Sequence, residues 1–268
     1  MPAGLFWDEM KAFELRKLAE EGYTVLQPVA STEQHGPGLP VGVDTLLCAE
    51  VARRTAQRVA EAGGKVVVAP CLHVGLAEHH MPFGGTLTLD VATYKGVLKG
   101  LTGSMVREGF KRILLLNGHG GNETALKNIS QELSTELDAT IATASYWTIP
   151  SVAVAYGSIL TAQSKVMHAG TSAVLFHSPP PHALFPSFVS AEHCHSTSQL
   201  CFARAGEGES SMMLALRPDL CDMKAMETLV CPPIEEGMMD VRGIYRWQSF
   251  ADYTPTGVLG VPAAGANT

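Results

Sequence analysis

Short aliphatic runs alternate with longer amphipathic stretches along the first half of the chain. Residues 23–30, 65–69, 111–116 and 139–147 have the length and the apolar, often β-branched content of strands. Between them, residues 44–62, 90–108 and 122–137 carry apolar positions at helical spacing, with Asp90 as an N-cap and Gly109 closing the second stretch. Residues 6–21 read as a further amphipathic helix with Phe6, Met10, Phe13, Leu15 and Leu18 on one side, ended by Gly22. Strand–helix alternation at this spacing predicts an α/β fold, a parallel sheet with helices on both faces. After Trp147 the periodicity weakens. Residues 148–206, which include Ser178-Pro179-Pro180-Pro181, predict a loop-rich excursion inside a single domain covering residues 1–268. Residues 207–216 read as a helix stopped at Arg217-Pro218, and residues 232–268 as an irregular tail.

Composition narrows the class. The chain has 268 residues, 46% hydrophobic and 17% charged, enough for a sizeable core. A net charge of −7 without a Lys/Arg cluster argues against nucleic acid or an acidic membrane surface as a partner. No apolar run reaches the roughly 18 residues of a membrane span, and residues 1–11 lack the basic-then-apolar order of a secretory signal. The six cysteines are dispersed without a C-x-x-C pair, so reduced thiols and a cytoplasmic location are expected.

The chemistry is concentrated after two of the strands. Glu33-Gln34-His35-Gly36, with Asp44 beyond it, follows the first; Asn117-Gly118-His119-Gly120-Gly121-Asn122 follows the third. Loops leaving the carboxyl ends of parallel strands converge on a crevice where ligands bind. Glu33 and His35 are two apart, so on extended backbone they leave the same face. Two carboxylates and two imidazoles form a nitrogen–oxygen donor set suited to zinc, manganese or iron. Other readings stay open at this point. Asp44 alone could be a helix cap. The Asn117–Asn122 turn could cradle phosphate, although it lacks the P-loop lysine and the G-x-G-x-x-G spacing. His79 and His80, in a Gly-rich loop, are either ordinary loop histidines or groups near a substrate. No H-E-x-x-H or G-x-S-x-G motif is present.

Four motifs in order resemble the creatininase (creatinine amidohydrolase) family. They are Pro28 to Pro40 with Asp44, Gly75 to Thr86, Asn117 to Asn122, and Ala205 to Leu220. The resemblance implies a three-layer α/β/α sandwich around a mostly parallel sheet, assembled as a homohexamer. It also implies two divalent ions (zinc, manganese or iron) that cleave C–N bonds of cyclic or linear amides through a metal-held hydroxide. By position, Glu33 and His119 would bind one ion, His35 the other, and Asp44 both. Gly121 stands where creatininase has a glutamate ligand, which makes Glu209 the candidate for the remaining carboxylate. Trp147 matches an aromatic residue on the substrate side, while Leu200 stands where creatininase has a second tryptophan. Creatinine itself is therefore not the expected substrate; a cyclic amide, lactam or formamide is. Backbone N–H groups of Gly120 and Gly121 are expected at the developing oxyanion. Arg204 replaces the family's proton-transferring histidine and falls among the substrate-side residues. Gly84 replaces a proline, and an extra His168-Ala169-Gly170 lies in the excursion. A proton for the leaving nitrogen is then expected from His80 first, with Glu207 and His168 as the other candidates. Arg204 also favours an alternative, a non-catalytic metal-binding scaffold.

Overall fold

The aliphatic runs form four strands that pair in parallel in the order β2-β1-β3-β4. They are β1 (Thr24–Val29), β2 (Val66–Val68), β3 (Arg112–Asn117) and β4 (Thr140–Ser145). The structure, a computed structural model, describes residues 5–148, 207–227, 249–252 and 254–258. The excursion beyond Thr148, with His168 and Arg204, and most of the tail lie outside them. Contacts divide the chain into two compact units: residues 1–33 with 41–146, and residues 34–40 with 147–268.

The first unit contains the sheet with helices α1 (Ala12–Glu20), α2 (Val43–Glu61), α3 (Val91–Arg107) and α4 (Glu123–Glu136). β1 is buried from Val25 onward on both faces, as a central parallel strand should be. Its odd positions Val25 and Val29 join Ile113 and Leu115 of β3 in one core with Leu15, Tyr94, Leu98, Leu126 and Leu133 of α1, α3 and α4. Helix α2 is absent from that cluster; its Cys48 Sγ lies 3.3 Å from the carbonyl of Leu116, against the other face. Three layers result, the arrangement that right-handed crossovers impose when the winding direction reverses at β1.

Pro28 sits inside this central strand, where its lack of an N–H would ordinarily cost a ladder bond. Its carbonyl accepts from Leu72 N–H, so the missing N–H points to the same edge, beyond the end of β2 at Val68. The Gln27 amide fills that edge by donating to the carbonyls of Pro28 and Pro70, both at 2.8 Å.

Helix α1 begins later than its apolar pattern suggests. Trp7–Glu9 form a separate 3-10 turn, so Phe6 and Met10 do not share a helix with Phe13, which is 67% exposed. Leu15 and Ala19 are the residues of α1 that are buried. Ile129 of α4 is 3% exposed within the same core, and Ile129→Val is expected to lower unfolding free energy by about 1 kcal/mol in a denaturant titration.

In the second unit, residues 34–40 are held by residues far along the chain. Gln34 Nε2 donates to the carbonyl of Gly257 at 3.0 Å, and Asp222 N–H donates to the carbonyl of Gly38 at 2.9 Å. Gly36 has φ of 70° and a Cβ there would fall 2.3 Å from Val258 Cγ2, so both backbone and space require glycine. Helix α5 (Glu207–Leu216) ends before Pro218 as its sequence predicts, and a short α6 (Met223–Glu227) follows.

Candidate metal centre

Register places the first unit's chemistry. Val29 pairs with Asn117, so the chain leaving β1 toward Glu33 and the chain leaving β3 toward His119 start side by side. The sheet's order reverses at this pair of strands, the position where open α/β sheets bind ligands. Glu33 is fixed by its N–H, which donates to the carbonyl of Val41 at 2.9 Å. Asp44 lies in the first turn of α2. The cap of that helix is Gly42 and carries no side-chain bond, so capping is not what Asp44 does.

The three side chains meet. His119 Nδ1 is 3.0 Å from Glu33 Oε2 and 2.9 Å from Asp44 Oδ2, and all three side chains are at most 4% exposed. On its other edge, His119 Nε2 lies 3.0 Å from the carbonyl of Leu76. A carbonyl only accepts, so Nε2 carries a hydrogen, and Nδ1 is the nitrogen left to face the two carboxylates. Two carboxylate oxygens and a ring nitrogen this close together call for a positive charge among them. The donor set, two carboxylate oxygens and one imidazole nitrogen whose far N–H is held by a carbonyl, fits a divalent ion.

Asparagines on either side of His119 build the turn, a role that pattern reading did not assign them. Asn117 Oδ1 accepts the N–H of His119 at 3.0 Å while its Nδ2 donates to Ser145 Oγ at 3.0 Å. Asn122 Oδ1 accepts the N–H of Leu76 at 2.9 Å and its Nδ2 donates to the carbonyl of Ala30 at 3.2 Å. Their signal in the sequence is chemical: an amide, both donor and acceptor, at each end of a Gly-rich turn whose backbone groups need partners.

His80, the expected proton carrier, is fully buried with Nε2 at 3.7 Å from Glu33 Oε1. His79 stacks on the His119 ring with centroids 5.9 Å apart and planes 14° from parallel. Burial first, then the His119 ring, hold the His79 imidazole down at about 4 against the opposing pull of Asp44. It is therefore neutral at pH 7.

Within the second unit, His35 is buried and its Nε2 lies 3.8 Å from Glu209 Oε2, so two further predicted ligands are brought together. Trp147 is half-buried in the 3-10 turn Tyr146–Thr148. Gly120 and Gly121 open the turn into α4, and Glu207 is the first residue of α5. His168 and Arg204 fall outside the described residues. Of the six cysteines, Cys48, Cys71 and Cys221 are described, and all three are free thiols.

A family model for creatininase (creatinine amidohydrolase) matches residues 8–267. The chain belongs to the creatininase family. A mycofactocin precursor peptide peptidase of Mycolicibacterium smegmatis is 41% identical over 103 residues, 38% of this chain and 41% of that protein. The match thus spans less than half the length of this relative. Among solved structures, a manganese creatininase gives a TM-score of 0.69 at 23% identity, covering 97% of this chain and 89% of that one. A mutant creatininase of Zn–Zn type gives 0.68 at 23% identity, covering 98% and 92%. At that identity the likeness is one of fold, and it agrees with the three-layer α/β architecture. Gly121 is the position at which the sequence resemblance implies a glutamate ligand in creatininase. Here a Cβ at residue 121 would lie 2.3 Å from the carbonyl oxygen of Leu76 and 2.4 Å from His119 Nε2, so the turn has no room for a side chain.

Proposed function

We propose that this chain is a metal-dependent amidohydrolase that cleaves a C–N bond of a cyclic amide, lactam or formamide. The observation that carries the reading is His119 Nδ1 facing the Glu33 and Asp44 carboxylates at 3.0 and 2.9 Å with its Nε2–H committed to Leu76. In this reading Glu33, Asp44 and His119 would hold one ion, and His35 with Glu209 would supply ligands to a second. The zinc and manganese forms of the similar creatininases support either metal. Divalent ions in such a site supply Lewis acidity and lower the pKa of water towards 7.

The chain's own residues do the rest. Leu76 fixes the His119 tautomer, and the asparagine-pinned turn keeps Nδ1 on the carboxylates. His80 Nε2, against Glu33 Oε1, holds the proton that the leaving nitrogen requires; Glu207 and His168 are the other groups of suitable chemistry. The N–H groups of Gly120 and Gly121 receive the developing oxyanion, and Trp147 and Arg204 contact the substrate. The peptidase named above supports including peptide-like amides among candidates. The family match runs through residues of both units, which supports one domain over residues 1–268. A cytoplasmic homohexamer belongs to the same proposal.

The test joins elemental analysis of the purified full-length chain to a hydrolysis panel of lactams, formamides, linear amides and short peptides. Divalent ions at about two per chain, with turnover lost on chelation and restored by zinc or manganese, are the expected result. Bound metal with no turnover on any member would favour the scaffold alternative, and a chain that takes up no metal would overturn both.

A further inference from the structure

We propose that His79 is the positioning residue for His119, bracing the ligand ring as an offset, nearly parallel neighbour, and that Gly121 lacks a side chain so that this brace fits. The inference rests on the metal reading above and adds a residue to it. One hydrogen bond, from His119 Nε2–H to the Leu76 carbonyl at 3.0 Å, fixes one edge of the ring. A nearly parallel ring set beside it in an offset stack, 5.9 Å between centroids and 14° between planes, adds a second constraint.

Both constraints come from one segment. Leu76 and His79 are three residues apart in a stretch anchored by Asn122 Oδ1 on the N–H of Leu76 at 2.9 Å and by Thr88 Oγ1 on the N–H of Ala77 at 3.0 Å. His79 is steadied in turn by His80, whose ring centroid is 4.2 Å away. Gly121 is the counterpart. A single methyl there would sit 2.3 Å from Leu76 O, 2.4 Å from His119 Nε2 and 2.9 Å from His79 Cε1, meeting every member of the brace. Two of those atoms belong to the brace and one to the ring it positions, so the space at Gly121 and the stack are one device. The role needs the flat face of residue 79 and not its nitrogens.

That distinction is testable on the full-length chain without measuring turnover. The protein is stripped, reloaded with Co²⁺, and its affinity measured by competition against a chromogenic chelator, with the visible cobalt band reporting ligand geometry. His79→Phe, which keeps a flat ring, is expected to retain the affinity and band of the unsubstituted chain. His79→Ala and Gly121→Ala are expected to weaken binding about 10- to 100-fold and to shift the band. Circular dichroism checks folding, and if Gly121→Ala does not fold the His79 pair decides alone. Equal losses in His79→Phe and His79→Ala would mean that residue 79 acts through a nitrogen, and no loss in either would mean that the stack positions nothing. Each result overturns the brace while leaving the metal reading intact. Failure of the unsubstituted chain to bind cobalt, zinc or manganese would overturn the metal reading, and the brace with it.

Discussion

Glu33→Gln is expected to abolish hydrolysis and to weaken divalent-metal binding by more than the roughly 10- to 100-fold typical of losing an outer partner of a metal site. The substitution conserves shape and removes one negative charge, so the effect isolates the chemistry of Glu33 Oε2, 3.0 Å from His119 Nδ1. Stability of the metal-free protein should move the other way. A glutamine amide at that distance donates a hydrogen bond to the Nδ1 lone pair and also relieves repulsion from Asp44, whose Oδ2 stands 2.9 Å from the same nitrogen. Tighter metal-free folding together with lost metal is the signature of a site built for a cation. If His119 were instead a permanently charged partner of the two carboxylates, removing one would destabilise the protein with or without metal. Chelator-competition affinity and thermal melting of the metal-free forms separate the two cases, and lower metal-free stability in Glu33→Gln would sink the cation-site reading.

The strands were legible because each is a run of aliphatic residues too short for a helix and bounded by turn-formers. β2 shows the limit: of a run expected over residues 65–69, the strand is Val66–Val68, with Lys65 and Ala69 supplying only the flanking bonds, to Thr24 N–H and the Leu26 carbonyl. Helix α1 shows another, because spacing across residues 6–13 looks periodic whether or not one helix spans it, and here a 3-10 turn intervenes. In the site, residue types pointed to Glu33, Asp44 and His119, but their meeting depends on the register Val29↔Asn117, which no local pattern encodes. Asp44 at a helix start is an ordinary cap by preference, and only geometry turns it towards His119. The Leu76 carbonyl was invisible for a plain reason: every residue has one, and nothing in the sequence marks the one that will orient a ligand. His79 and His80 read alike as loop histidines, yet His79 offers a ring face to His119 and His80 an edge nitrogen to Glu33.

Metal removal should cost stability in a way that depends on pH. An ion that binds the folded chain and not the unfolded one stabilises by RT ln(1 + [L]/Kd), about 4 kcal/mol when the ion is a thousandfold above its dissociation constant. For a chain of this size that corresponds to a fall in melting temperature of roughly 10 °C on chelation. The electrostatics would act in the same direction, because a bound cation would offset the charges of Glu33 and Asp44 beside His119 Nδ1. Protons compete for the same atoms. The ion needs His119 Nδ1 bare and both carboxylates ionised, so the increment should shrink as pH falls. Melting curves with and without chelator at several pH values measure it directly, and His119→Ala provides the control in which the increment disappears. A melting temperature indifferent to chelator in the unsubstituted protein, with zinc and manganese both supplied in excess, would leave the convergence of three buried ligands without a cation to explain it.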